Sequence, residues 1–275
     1  MKPPLIALLS DFGLKDPYIG IIKGVISQIS PSAVMVDLTH LVAPGDIQQG
    51  AFYLWQSQRD LPPGTVFLAV VDPGVGTDRK GIYLQQSGQI FIGPDNGLFS
   101  YLVYQGTSTA WQLMNPRFQL ENASRTFHGR DIFAPVAAHA ANGITGAEFG
   151  PPLESLVSLP QPLQLVRDQS LEGEIINQDR FGTLITSLGL FSPQGEELAY
   201  HSWTDSTSLA IPSTGLTLMI HDQALPIVST FADIPPDHCA GLIGSTGLLE
   251  IAANQRSARE ILKLQRGDRI RLVWD

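Results

Sequence analysis

The run Val66–Val71 constrains the fold of this chain more than any other segment. It is apolar without interruption and rich in β-branched residues. Such a run is typical of a strand buried on both faces, as in a parallel sheet covered by helices. A second apolar run, Leu5–Leu9, lies near the N-terminus and also predicts a buried strand. Together the two runs favour an α/β fold.

The segments around these runs show helical spacing. Apolar residues recur at helical positions from Tyr18 to Ile29. Asp46 has the character of an N-cap for a second helix that extends through Gln58. Val34–Leu38 predicts a strand between the two helices. Strand and helix therefore alternate, which predicts an N-terminal α/β domain with a central, mainly parallel sheet.

Two further elements of the first half follow from local signals. Ile82–Leu84 and Gln89–Ile92 are strand-like and are separated by Ser87-Gly88, which predicts a hairpin. A helix is expected from Asp131 to Ala141, with Asn142-Gly143 ending it.

The second half has a different pattern, with prolines between short β-like runs. We predict an N-terminal domain over residues 1–160, a linker over 161–170 and a smaller C-terminal domain over 171–275. Short strands separated by turns indicate that the second domain is all-β and barrel-like. The strand-like runs are Gly173–Asn177, Gly182–Leu188, Glu197–Tyr200, Gly215–Ile220, Pro226–Phe231, Leu248–Ile251 and Arg269–Val273.

Composition limits the partners and the compartment. The 275 residues carry 26 acidic and 17 basic side chains, a net charge of -9, which argues against binding to nucleic acid or to anionic membranes. Cys239 is the single cysteine, so neither an intrachain disulfide nor a Cys-rich metal site is expected. The N-terminal apolar run is too short for a signal peptide. We expect a cytoplasmic protein.

Most of the unusual polar residues lie in loops that follow the predicted strands. In an open α/β sheet, ligands bind beyond the carboxyl ends of the strands. We therefore expect these loops to meet at one place. They are Ser10-Asp11-Phe12-Gly13, the loop from Asp72 to Arg79, Gly93-Pro94-Asp95-Asn96-Gly97 and the segment from Thr126 to Asp131.

Each loop also has a purely structural interpretation. Asp11 could cap the following helix, and Asp72 with Arg79 could form an ion pair that closes a loop. Asn96 could cap a helix. His128 could bond to backbone at a helix start, although histidine is also the side chain best able to orient or deprotonate water near neutral pH. His40, which also follows a strand, is its rival.

The sequence lacks the motifs of several enzyme classes. It contains no His-Glu-x-x-His, no paired CxxC, no GxSxG, no GxxxxGK[ST] and no GxGxxG. We expect neither a metal nor a cofactor.

Taken in order, the motifs resemble those of the S-adenosylmethionine hydroxide adenosyltransferases, which are related to bacterial fluorinase and chlorinase. The motifs are Ser-Asp-Phe-Gly, Val-Asp-Pro-Gly-Val-Gly-Thr-x-Arg, Gly-Pro-Asp-Asn-Gly, Phe-His-Gly-Arg-Asp and Phe-Gly-Thr-Leu-Ile-Thr. The resemblance implies an α/β domain, a β-barrel-like domain and a homotrimer with ligand sites at subunit interfaces. It also implies cleavage of S-adenosylmethionine to adenosine and methionine by water held by Asp72, Arg79 and His128.

The resemblance places further residues at the substrate. It puts Asp11 at the ribose hydroxyls with Asp16 beside it, and Asp179 with Phe181 near the methionine amine and the adenine. Ser245 is placed at the methionine carboxylate, with Glu250 following it, and Asn96 has no firm role. Three positions depart from the family pattern, because Thr183, Ser187 and Gly244 stand where asparagine is usual.

Two other functions stay open at this stage. One is halide-dependent adenosyl transfer, which the retained Asp72 and His128 disfavour, because a carboxylate repels a halide. The other is a slow sensor that binds S-adenosylmethionine or adenosine, which the changes at the three asparagine positions keep in play.

Overall fold

The computed structural model describes residues 2–104 and 106–274. The chain divides into two compact units, one up to Leu159 and one from Pro160. Among the described residues, no helix combines the length and the apolar character needed to cross a bilayer.

The first unit is an α/β unit. Its helices and strands are β1 Leu5–Ser10, α1 Tyr18–Ile29, β2 Val34–Thr39, α2 Ile47–Gln58, β3 Val66–Val70, β4 Gly81–Gln86, β5 Gln89–Pro94, α3 Ser100–Val103, β6 Ser108–Gln112, α4 Ala134–Ala141, α5 Gly146–Phe149 and β7 Pro152–Leu153. The sheet has the order β2-β1-β3-β5-β4-β6-β7. It is parallel from β2 to β5 and antiparallel from β5 to β7.

The apolar runs form the centre of this sheet, as predicted. Every residue of β3 is buried, and so are Ile6 to Ser10 of β1. Each fully buried aliphatic side chain contributes about 2 kcal/mol to folding. The Asp46 side chain caps α2, because it accepts from the Gln49 backbone N–H at 3.0 Å.

The strand order creates a switch point in the sheet. The chain passes from β1 through α1 to β2 on one side, and β3 then pairs with β1 on the other side. At such a point the loops that leave neighbouring strands diverge and open a crevice for ligands. Asp11 follows β1 and Asp72 follows β3, so both carboxylates stand at this crevice.

The start of the last helix differs from the prediction. Gly129–Phe133 is a π-helical turn that leads into α4. The turn packs closely, since a Cβ at Gly129 would lie 3.3 Å from the Phe12 ring. Asn142 and Gly143 follow α4, and Gly143 has a φ of 94°, so the predicted helix end is confirmed.

The second unit is dominated by an antiparallel, nearly closed sheet, which confirms the barrel-like prediction. Its elements are β8 Gln164–Arg167, β9 Ser170–Gln178, β10 Leu184–Thr186, β11 Phe191–Gln194, β12 Glu197–His201, β13 Ser208–Pro212, β14 Thr217–Ile220, β15 Gln223–Pro226, β16 Cys239–Ile243, β17 Leu249–Ala253, α6 Ala258–Leu262 and β18 Arg269–Val273. The main sheet runs β15-β14-β18-β9-β10-β17-β16, and β11-β12-β13 form a smaller sheet. An isolated bridge from Ile227 to Gly241 links the two ends of the main sheet.

Two details of this unit correct the sequence-based prediction. Residues 164–167, inside the predicted linker, form β8 and pair with β9, which satisfies their backbone groups. The predicted strand Pro226–Phe231 does not form. The strand there is β15, which ends at Pro226, and a 3₁₀ turn begins at Phe231.

Candidate active site

The loop after β3 folds back so that Arg79 meets Asp72. Arg79 Nε donates to Asp72 Oδ1 at 3.0 Å, and Arg79 Nη2 donates to Asp72 Oδ2. The two side chains are only 5% and 9% exposed, for Asp72 and Arg79 respectively. The turn depends on Gly76, whose φ is 81° and whose Cα approaches the Arg125 carbonyl too closely for a side chain. The pair is therefore a fixed, two-pronged ion pair.

His128 completes a cluster with this pair. Its Nδ1 lies 2.9 Å from Arg79 Nη2. A guanidinium group has no acceptor, so Nδ1 must accept this bond, and the proton of the neutral ring is on Nε2. Burial lowers the pKa of His128, as does the neighbouring Arg79 charge, against the opposing effects of Asp72 and Asp131. His128 is therefore held as a neutral ring with a donor at Nε2.

Phe133, for which no sequence pattern predicts a role, packs against Arg79 of this cluster. The Arg79 guanidinium carbon lies 5.1 Å from the centre of the fully buried Phe133 ring. A cation over an aromatic face is attracted by the ring quadrupole. His128, just before the π-helical turn, and Phe133, at its end, thus both contact Arg79.

The strand-end loops meet, as predicted. Asp11 Oδ2 accepts from the Gly45 backbone N–H at 2.8 Å. Gly45 in turn packs against the residue after Asp72, since a Cβ there would lie 3.8 Å from Pro73 Cβ. The ring of Phe12 lies 5.9 Å from that of Phe127. These contacts join the loop that bears Asp11 to those that bear Asp72 and His128. Asp11 does not cap α1, because the N-cap of α1 is Pro17 and no side chain caps it.

Asn96 links β5 to β3. Its Nδ2 donates to the Val71 carbonyl at 2.9 Å, and its Oδ1 accepts from Leu98 N–H at 3.2 Å. Asn96 does not cap α3, whose N-cap is Phe99. Because Val71 precedes Asp72, the Asn96 amide fixes the backbone that carries the carboxylate. Its direct contact with a ligand stays a prediction.

His40, the rival histidine, belongs to a different hydrogen-bond network. It is 2% exposed, its Nδ1 lies 2.8 Å from Ser10 Oγ, and its Nε2 lies 3.1 Å from Asp37 Oδ1. Its backbone carbonyl accepts from Gly13 N–H at 2.7 Å. His40 therefore ties β1 to β2. Asp16 is exposed and lies just before α1.

In the second unit, Asp179 organises a tight turn after β9. Its Oδ1 accepts from the backbone N–H groups of Phe181 at 2.8 Å and Thr183 at 2.9 Å. The turn projects Phe181, which is 72% exposed. An exposed aromatic ring on a rigid turn is a platform on which a flat ligand can stack.

An open cavity of about 730 Å³ lies beside this turn. Phe231, for which no sequence pattern predicts a role, also lines it and is 53% exposed. Phe231 can be found only from the folded chain, because the rings of Phe181 and Phe231 are 50 positions apart in sequence and meet at one cavity. The lining also includes Asp179, Thr183, Asn254 and Ser257.

Glu250 and Ser245 lie on the neighbouring part of the same unit. Ser245 is exposed in the turn between β16 and β17. Burial raises the pKa of Glu250, and the Asp179 charge raises it further. A Cβ at Gly244 would overlap the Glu250 carboxylate, so the glycine makes the space that Glu250 occupies.

The other two departures from the family pattern have different surroundings. Ser187 is completely buried, donates to the Leu163 carbonyl at 2.5 Å and accepts from Glu174 N–H at 2.9 Å. Its hydroxyl is therefore part of the barrel structure. Thr183 is 7% exposed and lines the 730 Å³ cavity. Thr183 can contact a ligand, whereas Ser187 is occupied by the fold.

The described residues contain no group of three or more His, Cys, Asp or Glu side chains that could hold a metal ion. The cluster in the first unit consists instead of one carboxylate, one guanidinium group and one neutral imidazole.

A mixed sheet with a polar cluster at its switch point, and a barrel-like unit with exposed aromatic rings beside a cavity, are features of the class of proteins that bind small ligands. The family models for the SAM hydroxide adenosyltransferase N-terminal and C-terminal domains match residues 6–150 and 173–271. The chain belongs to this family.

Full-length relatives agree with this assignment. The chain is 37% identical to the (R)-S-adenosyl-L-methionine hydrolase of Thermus thermophilus, covering 99% of this chain and 100% of the relative. It is 36% identical to the protein of the same name from Salinispora arenicola, over 98% of both. A fluorinase from Nocardia brasiliensis is 27% identical, over 97% of this chain and 95% of the relative.

Solved structures have the same fold. An uncharacterised conserved protein from Thermotoga maritima superimposes with a TM-score of 0.83 at 31% identity, covering 98% of this chain and 99% of that one. A conserved hypothetical protein from Thermus thermophilus gives a TM-score of 0.78 at 35% identity, over 98% and 100%.

Proposed function

We propose that this protein hydrolyses S-adenosyl-L-methionine to adenosine and L-methionine. The observation that carries the proposal is the Asp72–Arg79–His128 cluster at the switch point of the sheet, in a chain whose relatives are named as hydrolases of this sulfonium compound. Asp72, Arg79 and His128 are the proposed catalytic residues.

The reaction needs a positioned water rather than an acid. The water oxygen attacks the ribose 5′-carbon in line with the C–S bond, and the electrons of that bond move to sulfur, which leaves as the neutral thioether of methionine. Asp72 accepts a proton from the water and passes it to solvent. Arg79 keeps the carboxylate oriented and stabilises the developing hydroxide.

His128 orients the water in this mechanism. Its Nδ1 accepts from Arg79. Protonation of Nδ1 would therefore place an imidazole N–H donor against the Arg79 N–H donor. Its Nε2–H donates to the water oxygen and fixes the lone pair that attacks. This assignment narrows the sequence-based hypothesis, in which either His128 or Asp72 accepted the proton.

The remaining predicted residues hold the substrate. Asp11 binds the ribose hydroxyls through its carboxylate, with Asp16 nearby. The adenine stacks in the 730 Å³ cavity between Phe181 and Phe231, which line it. Base stacking on an aromatic ring contributes about 1–3 kcal/mol.

The amino-acid end of the substrate is zwitterionic and needs both kinds of partner. Asp179 and Glu250 supply negative charge for the ammonium group. Ser245, exposed in its turn, donates to the carboxylate. Asn96 affects the ligand indirectly. It binds the Val71 carbonyl and so fixes the backbone next to Asp72.

The reaction is proposed to proceed without metal or cofactor, because a thioether leaves without the help of a Lewis acid. Adenosine release that is unchanged after dialysis against EDTA is the expected result. Activity that disappears and returns with added Mg²⁺ or Zn²⁺ would overturn this part of the proposal.

We also propose that the protein is a cytoplasmic homotrimer with its sites at subunit interfaces. Support comes from the family resemblance and from exposed apolar side chains such as Leu14 and Leu41, which are 67% and 68% exposed. Light scattering should give three times the chain mass of 29.8 kDa. A monomer mass at micromolar concentration would contradict the assembly.

The decisive test uses ¹⁸O-labelled water. The two epimers of S-adenosyl-L-methionine at the sulfonium sulfur are assayed separately. The expected product is adenosine with the label at the 5′-oxygen, together with unlabelled methionine. A 5′-halogenated adenosine formed with fluoride or chloride would favour the halide alternative. Bound but uncleaved substrate would favour the sensor alternative.

A further inference from the structure

The Arg130-Asp131 part of the Phe-His-Gly-Arg-Asp motif has no role in the reaction proposed above. Asp131 is nevertheless a buried carboxylate, 2% exposed, on the π-helical turn that begins directly after His128. A buried charge costs free energy unless it is paired and hydrogen-bonded. Its position therefore needs a physical explanation.

Asp131 binds two backbone N–H groups of the preceding loop and the side chain of its neighbour Arg130. Its Oδ2 accepts from Ser124 N–H at 2.8 Å, and its two oxygens accept from Arg130 at 2.5 and 3.0 Å. Its backbone carbonyl accepts from Leu120 N–H at 2.8 Å. The side chain and backbone of one residue thus close the loop of residues 120–128 onto the turn.

This loop carries His128 and also touches the loop of Asp72. The carbonyl of Arg125 packs on Gly76, in the turn between Asp72 and Arg79. The Arg130 guanidinium carbon lies 5.2 Å from the centre of the Phe127 ring, next to His128 in sequence. A loop that was released at residue 124 would loosen both the histidine and the turn it packs against.

We propose that Asp131 is a positioning residue for the catalytic cluster: it ties residues 120–128 to the π-helical turn and thereby holds His128 in register with Arg79. The proposal rests on the proposed hydrolysis, and it adds a residue that touches neither water nor substrate.

The charge of Asp131 gives this role a signature that a structural role lacks. The charged groups that act on His128 are Arg79, which lowers its pKa, and Asp72 and Asp131, which raise it. Removal of the Asp131 charge should therefore lower the His128 pKa further.

The test compares Asp131→Asn, Asp131→Ala and Arg130→Gln with the wild type. The Asn variant keeps an acceptor for Ser124 and removes the charge, and the Ala variant removes both. Arg130→Gln keeps the Asp131 charge and removes an ion pair whose arginine side chain is 37% exposed. We expect kcat to fall roughly tenfold to a hundredfold in the Ala variant with KM within about twofold, because small misplacements of reacting groups have effects of this size.

Histidine ¹⁵N NMR supplies a readout that does not depend on activity. The His128 signal is assigned with His128→Gln among the 6 histidines. We expect an Nε2–H tautomer in the wild type, a lower His128 pKa in Asp131→Asn, no such lowering in Arg130→Gln, and a mixture of tautomers in Asp131→Ala. The Asn variant covers the case in which the Ala variant does not fold.

The two ways of failing can be told apart. If the titration and tautomer of His128 are the same in the wild type and in every folded Asp131 variant, Asp131 is not its positioning residue. If the wild type releases no adenosine, the proposed hydrolysis fails, whatever the NMR spectra show.

Discussion

Arg79 donates to His128 Nδ1 across 2.9 Å while the same guanidinium group binds both oxygens of Asp72. One planar group therefore sets the orientation of the carboxylate and the tautomer of the imidazole at once. A lysine has the same charge but lacks the fork that makes this possible.

Arg79→Lys is expected to lower kcat about a hundredfold although it keeps the charge. The ammonium group cannot hold Asp72 in a two-pronged pair and bind His128 as well, and loss of orientation has an effect of this order. The measurement is adenosine release at saturating substrate. Arg125→Lys is the matched control, because Arg125 is exposed in the adjoining loop; a similar loss in both variants would contradict the prediction.

Asp72→Asn should lower kcat by about two orders of magnitude or more, because the amide cannot accept the water proton. Asparagine has nearly the same shape as aspartate, so the fold should persist, which circular dichroism can verify. Asp78→Asn changes an exposed carboxylate of the same loop and should retain wild-type turnover. Full activity in Asp72→Asn would remove Asp72 from the mechanism.

The pH dependence follows from the lowered pKa of His128. The neutral ring is the active form, so kcat should rise with pH through a midpoint below 6.5, the ordinary pKa of histidine.

The lowered pKa of His128 also affects the stability of the fold. Because the unfolded chain binds a proton at higher pH than the folded chain, stability should fall as pH falls from about 6.5 toward the folded pKa.

Melting temperatures at pH 7.5 and 5.5 test the stability part of this expectation. His128→Gln should reduce the difference between the two temperatures. It should not abolish it, because burial also lowers the pKa of His139. A larger difference in the variant would show that the sign is wrong.

Phe181→Ala should raise KM for S-adenosylmethionine about tenfold, the equivalent of one lost stacking contact, with a small change in stability because the ring is 72% exposed. Phe231→Ala should act in the same direction. Val166→Ala, a 46% exposed apolar residue of the same unit, serves as the control. Unchanged KM in both phenylalanine variants would exclude the cavity as the adenine site.

Gly244→Asn tests the space that Glu250 occupies. The new side chain must displace the Glu250 carboxylate, and KM should rise about tenfold through loss of a hydrogen bond to a charged group. Gly195→Asn is the comparison, because that turn has open space and a φ of 67° that asparagine tolerates. If KM is unchanged in Gly244→Asn, Glu250 does not bind the substrate.

The sequence predicted those parts of the fold that depend on local signals. Tyr18–Ile29 and the Asp46 cap gave α1 and α2 with their observed bounds. The hairpin through Ser87 and Gly88 formed as expected, and both residues have positive φ. Periodicity and turn chemistry act within a few residues, so the pattern is sufficient there.

Other features depend on contacts between distant residues. The π-helical turn at 129–133 packs against Phe12 and Ile22, and no local pattern encodes that packing. The strand order is also absent from periodicity. For the site, the spacing of Asp72 and Arg79 predicted their pairing. The tautomer of His128 and the shared cavity of Phe181 and Phe231 depend on contacts between residues distant in sequence.

The groups proposed to handle water lie before Leu159, and the rings proposed to hold adenine lie after Pro160. The residues proposed to activate the nucleophile and those proposed to stack on the base are therefore encoded in separate stretches of the gene. Mutation or recombination can alter one trait while the other is inherited intact. A lineage with this architecture can change the attacking group while it keeps the base-stacking rings, or change the rings while it keeps the attacking group.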